Sequence, residues 1–190
     1  AVMQAERFID DSKDVLILYG DTPLISADTL KRLVEYHRNE NNGVSIISAV
    51  VENSEGYGHI IRNKSGAFVK NVEYKDATDE EKLVKEINSG IYCFKGSSLK
   101  KALKLITNDN VQGEYYLPDA LEIILRSGEK VNAMAIGNVA EFAGVNNRVQ
   151  LAQANRIMRE RINERHMLNG VTIISTENTY IYDDVKIGMD

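Results

Sequence analysis

The stretch "VLILYGDTPLI", residues 15–25, joins a short apolar run to a carboxylate. Val15 to Leu18 are large aliphatic residues without polar alternation, a pattern typical of a strand buried on both faces in a parallel sheet. Ligands of open α/β sheets bind beyond the carboxyl ends of such strands, so Asp21 stands where a substrate or a metal would bind. An Asp followed closely by Pro23 is equally typical of a turn. The stretch alone leaves both interpretations open.

The residues after this stretch predict an α/β fold. Ser26 and Asp28 are candidate caps of a helix that Gly43 ends, and residues 44–51 read as a strand. This strand, helix, strand order predicts a βαβ unit with parallel pairing. Further along, the patterns predict a hairpin turning at 63–66, a helix at 78–85 opened by a capping box, a strand in "INSGIYCF", helices at 97–106 and after Pro118, and a strand in "VNAMAI".

The C-terminal part of the chain changes character. A long helical pattern runs from Asn147 to Asn169, and Gly170 stops it. Beyond it the helical period disappears, and Ile181 and Ile187 lie six residues apart, which is the spacing of parallel β-helix coils. A single repeat of this kind is weak evidence.

Composition excludes several classes of function. The net charge of −5 and the pI near 5.3 argue against a nucleic-acid or anionic-membrane surface, and no apolar segment is long enough to span a bilayer. The single cysteine, Cys93, favours core packing in a reducing cytoplasm. No P-loop, complete dinucleotide fingerprint, C-x-x-C or nucleophile elbow is present. The chain lacks an initial methionine, and we expect both ends to be cut from a longer protein.

Seven stretches together carry a resemblance to a known family. They are "LYGDTPLI" (18–25), "GYGHIIR" (56–62), "VEYKDATDEEK" (72–82), "EINSGIY" (86–92), "QGEYYLPD" (112–119), "GVNNRVQL" (144–151) and "MLNGVTII" (167–174). In this order and spacing they resemble the bacterial bifunctional UDP-N-acetylglucosamine pyrophosphorylase and glucosamine-1-phosphate N-acetyltransferase. That family joins UTP to N-acetylglucosamine-1-phosphate, releasing pyrophosphate and giving UDP-N-acetylglucosamine for the cell envelope.

The resemblance implies a fold and a division of the chain. It implies a Rossmann-like nucleotidyltransferase domain with a mixed, mostly parallel sheet whose first βα units are missing. Residues 1–148 would form this partial pyrophosphorylase domain, 149–169 a linker helix, and 170–190 the start of a left-handed β-helix acetyltransferase domain. The longer protein would be a cytoplasmic homotrimer.

The resemblance also implies a binding site. Asp21 and Asn146 would hold a catalytic Mg²⁺, which suits the preference of that ion for a few hard oxygen ligands. A second group would bind the substrates: Tyr19 and Gly20 on the nucleotide side, and Gly58, Glu73 and Asn88 around the sugar. No general base or nucleophile is expected, because the attacking phosphate is already ionised.

Plainer roles compete with these assignments. Asn146 or Asn147 must cap the long helix, and capping is the commoner use of Asn there. Glu73 on a hairpin strand reads as a solvated residue, whereas Asn88 in an apolar strand needs buried partners, of which a ligand is one. Tyr115 and Tyr116 read as packing rather than stacking residues, although the resemblance implies that their loop lies near the sugar pocket.

One further expectation concerns activity, and two alternative functions stay open. The glycine-rich loop with Arg and Lys that cradles the triphosphate in the family has no match in these 190 residues, so we expect no uridyltransferase turnover from the chain alone. The alternatives are a nucleotidyltransferase for another sugar-1-phosphate and a non-catalytic module that binds sugar nucleotides.

Overall fold

A computed structural model of the chain describes residues 1–109 and 113–189. Gln112 of the "QGEYYLPD" stretch and Asp190 of the predicted β-helix coil lie outside the described residues. The chain forms two compact units. The first unit comprises residues 1–19 and 26–139, and the second comprises residues 20–25 and 140–190.

Over its described residues, the first unit contains a sheet and three helices. Its strands are β1 (Asp14–Ile17), β2 (Val44–Val50), β3 (His59–Arg62), β4 (Phe68–Val72), β5 (Glu86–Lys95) and β6 (Val131–Ile136). Its helices are α1 (Ala27–Asn39), α2 (Gly96–Leu103) and α3 (Asp119–Arg126). Short 3₁₀ turns lie at Val2–Phe8 and Glu81–Leu83. The predicted α/β class is therefore confirmed.

The sheet is mixed but not mostly parallel, and that part of the prediction is wrong. Its order is β4-β3-β5-β2-β6, with β1 also paired to β5. Only the β2–β6 pairing is parallel among the described strands, while β5 runs antiparallel to β1, β2 and β3. The long strand β5 lies between β1 and β2, so these two run in the same direction without pairing directly. The order of the strands along the chain does not indicate that β5, which comes later in the sequence, lies between β1 and β2.

Strand β1 is less buried than its composition suggests. Leu16 is 40% exposed, and Leu18, which follows the strand, is 43% exposed, so the prediction of a strand buried on both faces is wrong for these residues. The physical reason is that β1 pairs only with β5 among the described strands and therefore lies at an edge. Cys93 on β5 is fully buried, and burial raises the pKa of its thiol to about 12, in keeping with the predicted packing role.

Turn and capping residues predicted the hairpin of β3 and β4 correctly, but they predicted too long a helix at 78–85. The hairpin of β3 and β4 forms as expected, with Gly66 at φ 83° in its turn. The capping box also forms, since Thr78 N donates to Glu81 Oε2 and Glu81 N donates to Thr78 Oγ1. The helix predicted at 78–85 is nevertheless only a 3₁₀ turn, because Leu83 is exposed and no apolar stripe anchors a longer helix.

The second unit is built on helix α4 (Arg148–Leu168), which confirms the long helix predicted from the sequence. After it, the described residues through Met189 form no helix or strand, and Ile187 is exposed. The left-handed β-helix coil and the linker role of α4 therefore stay predictions. Among the residues the structure describes, no helix combines the length and apolar character needed to cross a membrane.

Candidate functional site

Asp21 belongs to a loop of the second unit, residues 20–25, which two hydrogen bonds hold in place. Val145 N donates to Asp21 O at 2.8 Å, and Arg161 Nη1 on α4 donates to Leu24 O at 2.9 Å. Leu24 is buried, whereas Asp21 is exposed. The backbone of the loop is thus fixed while its carboxylate remains accessible.

The structure separates the roles of the two neighbouring asparagines. Asn147 is the N-cap of α4, and its side chain accepts from Gln150 N at 2.9 Å. Asn146 uses its backbone N–H, which donates to Gln150 Oε1 at 2.7 Å. Because Asn147 satisfies the helix end, the side chain of Asn146 is not needed for capping.

Asp21 and Asn146 meet at Gly144, and we call them the exposed pair. A Cβ built on Gly144 would lie 3.5 Å from Asn146 Nδ2 and 3.8 Å from Asp21 Oδ2, so both side chains end beside the same point. Among the described residues, neither side chain has a hydrogen bond or an ion pair with the protein. One carboxylate and one amide oxygen fit Mg²⁺, which takes one or two protein groups and keeps water on its other positions. The described residues contain no cluster of three or more His, Cys, Asp or Glu that could hold a metal.

The predicted sugar residues gather in the first unit, around Gly58. A Cβ on Gly58 would lie 2.9 Å from Glu73 Oε1 and 3.0 Å from Asn71 Oδ1, so a glycine is required for these side chains to lie over the backbone. The backbone also aligns the strands here, because Asn88 N donates to Gly58 O at 2.8 Å. Gly58, Glu73 and Asn88 are therefore brought together.

A chain of hydrogen bonds links Glu73 to Asn88, and we call its members, Asn71, Glu73, Asn88 and Tyr92, the amide array. Asn71 Nδ2 donates to Glu73 Oε1 at 3.2 Å. Asn88 Nδ2 donates to Asn71 Oδ1 at 3.1 Å and to Tyr92 OH at 2.8 Å. Complete burial raises the pKa of Tyr92, so its hydroxyl stays neutral. Asn88 therefore has the buried partners that its sequence context required.

Tyr19 and Gly20 differ in their surroundings. The Tyr19 ring packs on Gly90, where an added Cβ would overlap it, and Gly90 has φ 79°. Gly90 thus permits both the irregular backbone of β5 and the close ring contact. Gly20 is exposed, with no atom within 4 Å of a Cβ built on it. The nucleotide-side roles of both residues stay predictions.

A cavity of about 460 Å³ lies in the first unit beside the array. It is lined by Glu73, Tyr19, Tyr115 and Tyr116 together with apolar residues, and its size lies within the range of small-molecule sites. Desolvation and the carboxylates of Asp76, Glu114, Glu73 and Asp119 raise the pKa of Tyr116. Such acidic surroundings favour neutral groups rich in hydrogen-bond donors over a bare phosphate.

Sequence reasoning missed Asn71 and Tyr92 and assigned Tyr115 and Tyr116 to packing. Asn71 sits in the short strand "FVKNV", where its polarity reads as a solvent-facing position. A signal was available in its position two residues before Glu73, since alternate residues of a strand share one face. Nothing comparable marked Tyr92, which reads as an ordinary aromatic core residue.

Fold and site together define a protein class. The family profile described as nucleotidyl transferase matches residues 1–177, and the chain belongs to that family. A solved structure of a Bacillus anthracis chain assigned as a glucose-1-phosphate thymidylyltransferase matches with a TM-score of 0.60 and 20% identity, covering 82% of this chain and 58% of that one. At this identity the likeness shows the shared fold alone.

More similar relatives are curated proteins named bifunctional protein GlmU. The chain is 57% identical to the one from Caldanaerobacter subterraneus subsp. tengcongensis, 53% identical to the one from Clostridioides difficile and 50% identical to the one from Bacillus subtilis. Each match covers all of this chain. The chain spans only 41–42% of the length of these relatives.

Proposed function

We propose that the chain is part of a Mg²⁺-dependent uridyltransferase that joins UTP to N-acetylglucosamine-1-phosphate, giving UDP-N-acetylglucosamine and pyrophosphate. The observation that carries the proposal is the amide array over Gly58, whose Glu73 lines a cavity of about 460 Å³. Of its four members, the family resemblance implies sugar-binding roles for Glu73 and Asn88. The identity to relatives named bifunctional protein GlmU supports the same activity.

The residues of the first unit would bind and orient the sugar. The Glu73 carboxylate can accept two hydroxyl hydrogen bonds, and Gly58 lets the backbone approach the ring without a side chain between them. Because the array is already hydrogen-bonded, little side-chain freedom is lost when a sugar binds. Orientation of this kind accounts for much of the rate of a transfer between two phosphates.

The residues of the second unit would hold the metal. Asp21 and Asn146 supply a carboxylate and an amide oxygen, and neither has a competing hydrogen bond among the described residues. When bound, Mg²⁺ would neutralise the charge that develops on the leaving pyrophosphate. The exposed pair therefore acts by placing one cation rather than by moving a proton.

A titration of the 190-residue chain with N-acetylglucosamine-1-phosphate tests the proposal. We expect saturable binding in Mg²⁺ that weakens strongly in EDTA, with glucose-1-phosphate bound about tenfold more weakly. Isothermal titration calorimetry of each sugar phosphate, with and without Mg²⁺, measures both effects. Equal affinity for the two sugars would favour a nucleotidyltransferase for another sugar-1-phosphate, and absence of binding would overturn the proposal.

The uridyltransferase reaction itself is expected only in a longer protein that carries the glycine-rich loop. We infer that the chain alone gives no UDP-N-acetylglucosamine from UTP, since its sequence contains no match to the glycine-rich loop with Arg and Lys that cradles the triphosphate in the family. Acetyl transfer, the homotrimer and the cytoplasmic location are likewise proposed for the longer protein. Product formation by the purified chain, followed by chromatography, would contradict this inference.

A further inference from the structure

The amide array has fixed polarity at both ends. At one end Gly90 N–H donates to Asn88 Oδ1 at 2.9 Å, and a backbone N–H can only donate. At the other end the Glu73 carboxylate accepts from Asn71 Nδ2 at 3.2 Å. The orientation of each side-chain amide between them is therefore set by chemistry.

Each amide has one orientation that satisfies its neighbours. Asn88 must turn its oxygen toward Gly90, so its nitrogen faces Asn71 and Tyr92. Asn71 must turn its nitrogen toward Glu73, so its oxygen faces Asn88. Rotating either amide by half a turn would place two donors or two acceptors against each other, which leaves buried groups unpaired.

The hydrogen-bonding capacity left to Asn88 follows directly. Both hydrogens of its Nδ2 are used, one on Asn71 Oδ1 and one on Tyr92 OH. Its Oδ1 has two lone pairs, of which Gly90 N–H uses one. Asn88 is 8% exposed, so water offers it few alternatives. Toward a ligand, Asn88 is therefore an acceptor and cannot donate.

We propose that Asn71 is a positioning residue that locks Asn88 as a hydrogen-bond acceptor and so makes this part of the site selective for sugar substituents that donate, such as an amide N–H or a hydroxyl. The proposal rests on the proposed function, because it assumes that the array faces the sugar. Asn71 acts in two ways: it occupies one of the two donor hydrogens of Asn88, and it restrains the Glu73 carboxylate. A ligand with a fluorine in place of a donor would leave these acceptors unpaired.

Deoxyfluoro analogues of the sugar phosphate, each with one donor group replaced by C–F, test this selectivity. We expect the unmodified chain to bind at least one analogue about tenfold more weakly than N-acetylglucosamine-1-phosphate. In Asn71→Leu, one hydrogen of Asn88 Nδ2 loses its partner and can point toward the fluorine of the analogue. The affinity for the natural sugar should then fall about tenfold, and the ratio between the sugar and that analogue should shrink several-fold.

Two further variants keep the result interpretable. Tyr92→Phe releases the other hydrogen of Asn88 without removing the ring, and should shrink the same ratio even if Asn71→Leu fails to fold. Asn132→Leu is the matched control, because it also removes one amide-to-amide bond, from Asn132 Nδ2 to Asn42 Oδ1 at 2.8 Å. It should lower stability while leaving the ratio unchanged.

Each outcome decides between the two proposals. Binding of the natural sugar by the unmodified chain, with the same analogue ratio in a folded Asn71→Leu, would overturn the role of Asn71 and leave the proposed function intact. Absence of binding by the unmodified chain would overturn both. A smaller ratio in Asn71→Leu, with an unchanged ratio in Asn132→Leu, is the result that supports the inference, and Tyr92→Phe takes the place of Asn71→Leu only if that variant does not fold.

Discussion

The amide array of the first unit and the exposed pair of the second unit differ in whether their polar side chains are hydrogen-bonded within the protein. In the array, Asn71, Glu73, Asn88 and Tyr92 are hydrogen-bonded to one another. In the exposed pair, Asp21 and Asn146 end beside one point at Gly144, and their side chains have no protein partner among the described residues.

The difference favours a different kind of ligand for each cluster. A closed array is already in its binding arrangement and suits a neutral ligand held by directional hydrogen bonds. An open carboxylate and amide suit a cation, which would otherwise compete with internal hydrogen bonds for the same oxygens. Breaking the array should therefore affect both selectivity and stability, whereas breaking the exposed pair should affect the metal alone.

The largest expected effect is the loss of metal binding in Asp21→Asn. The substitution keeps the shape of the side chain but removes the only carboxylate of the exposed pair, so the affinity for a divalent cation should fall about 100-fold. Stability should not change, because Asp21 is exposed and its carboxylate has no described partner. Titration with Mn²⁺ in the presence of N-acetylglucosamine-1-phosphate, followed by water-proton relaxation, measures the affinity.

Asp184→Asn is the matched control for this prediction. Asp184 is also exposed and belongs to the second unit. This variant carries the same change in charge and should bind Mn²⁺ like the unmodified chain. Equal weakening in the two variants would mean that general charge, rather than the exposed pair, attracts the cation.

The next effect concerns the strands that carry the array. Arg62 at the end of β3 donates from Nε and Nη2 to Glu86 at the start of β5, at 2.7 and 2.6 Å. Burial acts to raise the pKa of Glu86, but hydrogen bonds from Arg62 and Ser48 hold it below its ordinary value. Glu86→Gln should lower the free energy of unfolding by about 2 kcal/mol, because Arg62 loses its charged partner in a site that is only partly buried. Urea denaturation measures this loss.

A surface ion pair of similar length provides the control. Arg126 Nη2 lies 2.8 Å from Glu122 Oε2 on α3, and the Arg126 side chain is 78% exposed. Glu122→Gln should cost less than about 0.5 kcal/mol, since exposed pairs are screened by water. If both variants lost the same stability, the pair of Arg62 and Glu86 would contribute no more to the stability of the fold than an exposed ion pair does.

A smaller effect is expected from Gly58→Ala, which adds one methyl group under the array. Its Cβ would lie 2.9 Å from Glu73 Oε1, so the Glu73 side chain must move. We expect the affinity for N-acetylglucosamine-1-phosphate to fall about tenfold with little change in stability. Gly137→Ala, at a position with no atom within 4 Å of its Cβ, is the control and should bind normally. An unchanged affinity in Gly58→Ala would place the sugar elsewhere.

The sequence predicted local structure well where a capping or turn residue determines it. Ser26 caps α1, Asn147 caps α4 and Gly66 forms the hairpin turn, as expected. Each of these signals depends on residues a few positions apart. The sheet depends on contacts between distant segments, so the pairing of β5 with β1 and β2 could not be deduced from order.

The candidate site was predicted in part. Family resemblance supplied Asp21, Asn146, Gly58, Glu73 and Asn88, and the structure brings them together as two groups, one in each unit. Their roles in binding stay predictions. Asn71 was missed because its importance lies in hydrogen bonds to Glu73 and Asn88, and pairing of this kind appears only when β3, β4 and β5 are assembled.

The smallest expected effect is a pH dependence of stability that arises in the first unit. His37 on α1 is buried, with Nδ1 3.0 Å from Ser45 Oγ and Nε2 3.7 Å from Asp14 Oδ1. Burial lowers the pKa of His37 below its ordinary value of 6.5, with smaller contributions from Arg38 and Lys95, and Asp14 only partly opposes this. Below about pH 6.5 the unfolded chain therefore binds a proton that the folded chain resists.

The sign of the effect follows from this difference. The free energy of unfolding should be constant with respect to His37 above about pH 6.5 and should fall as the pH drops toward the lowered pKa of the folded state. Urea denaturation between pH 7.5 and about pH 5.5 should show the slope in the unmodified chain and a reduced slope in His37→Gln. Asp21→Asn should keep the full slope, because it changes an exposed residue of the second unit and leaves the surroundings of His37 in the first unit intact. An unchanged slope in His37→Gln would assign the pH dependence to other groups. The buried polar site at His37 and the exposed carboxylate of Asp21 would then not differ in their effect on the pH dependence of stability.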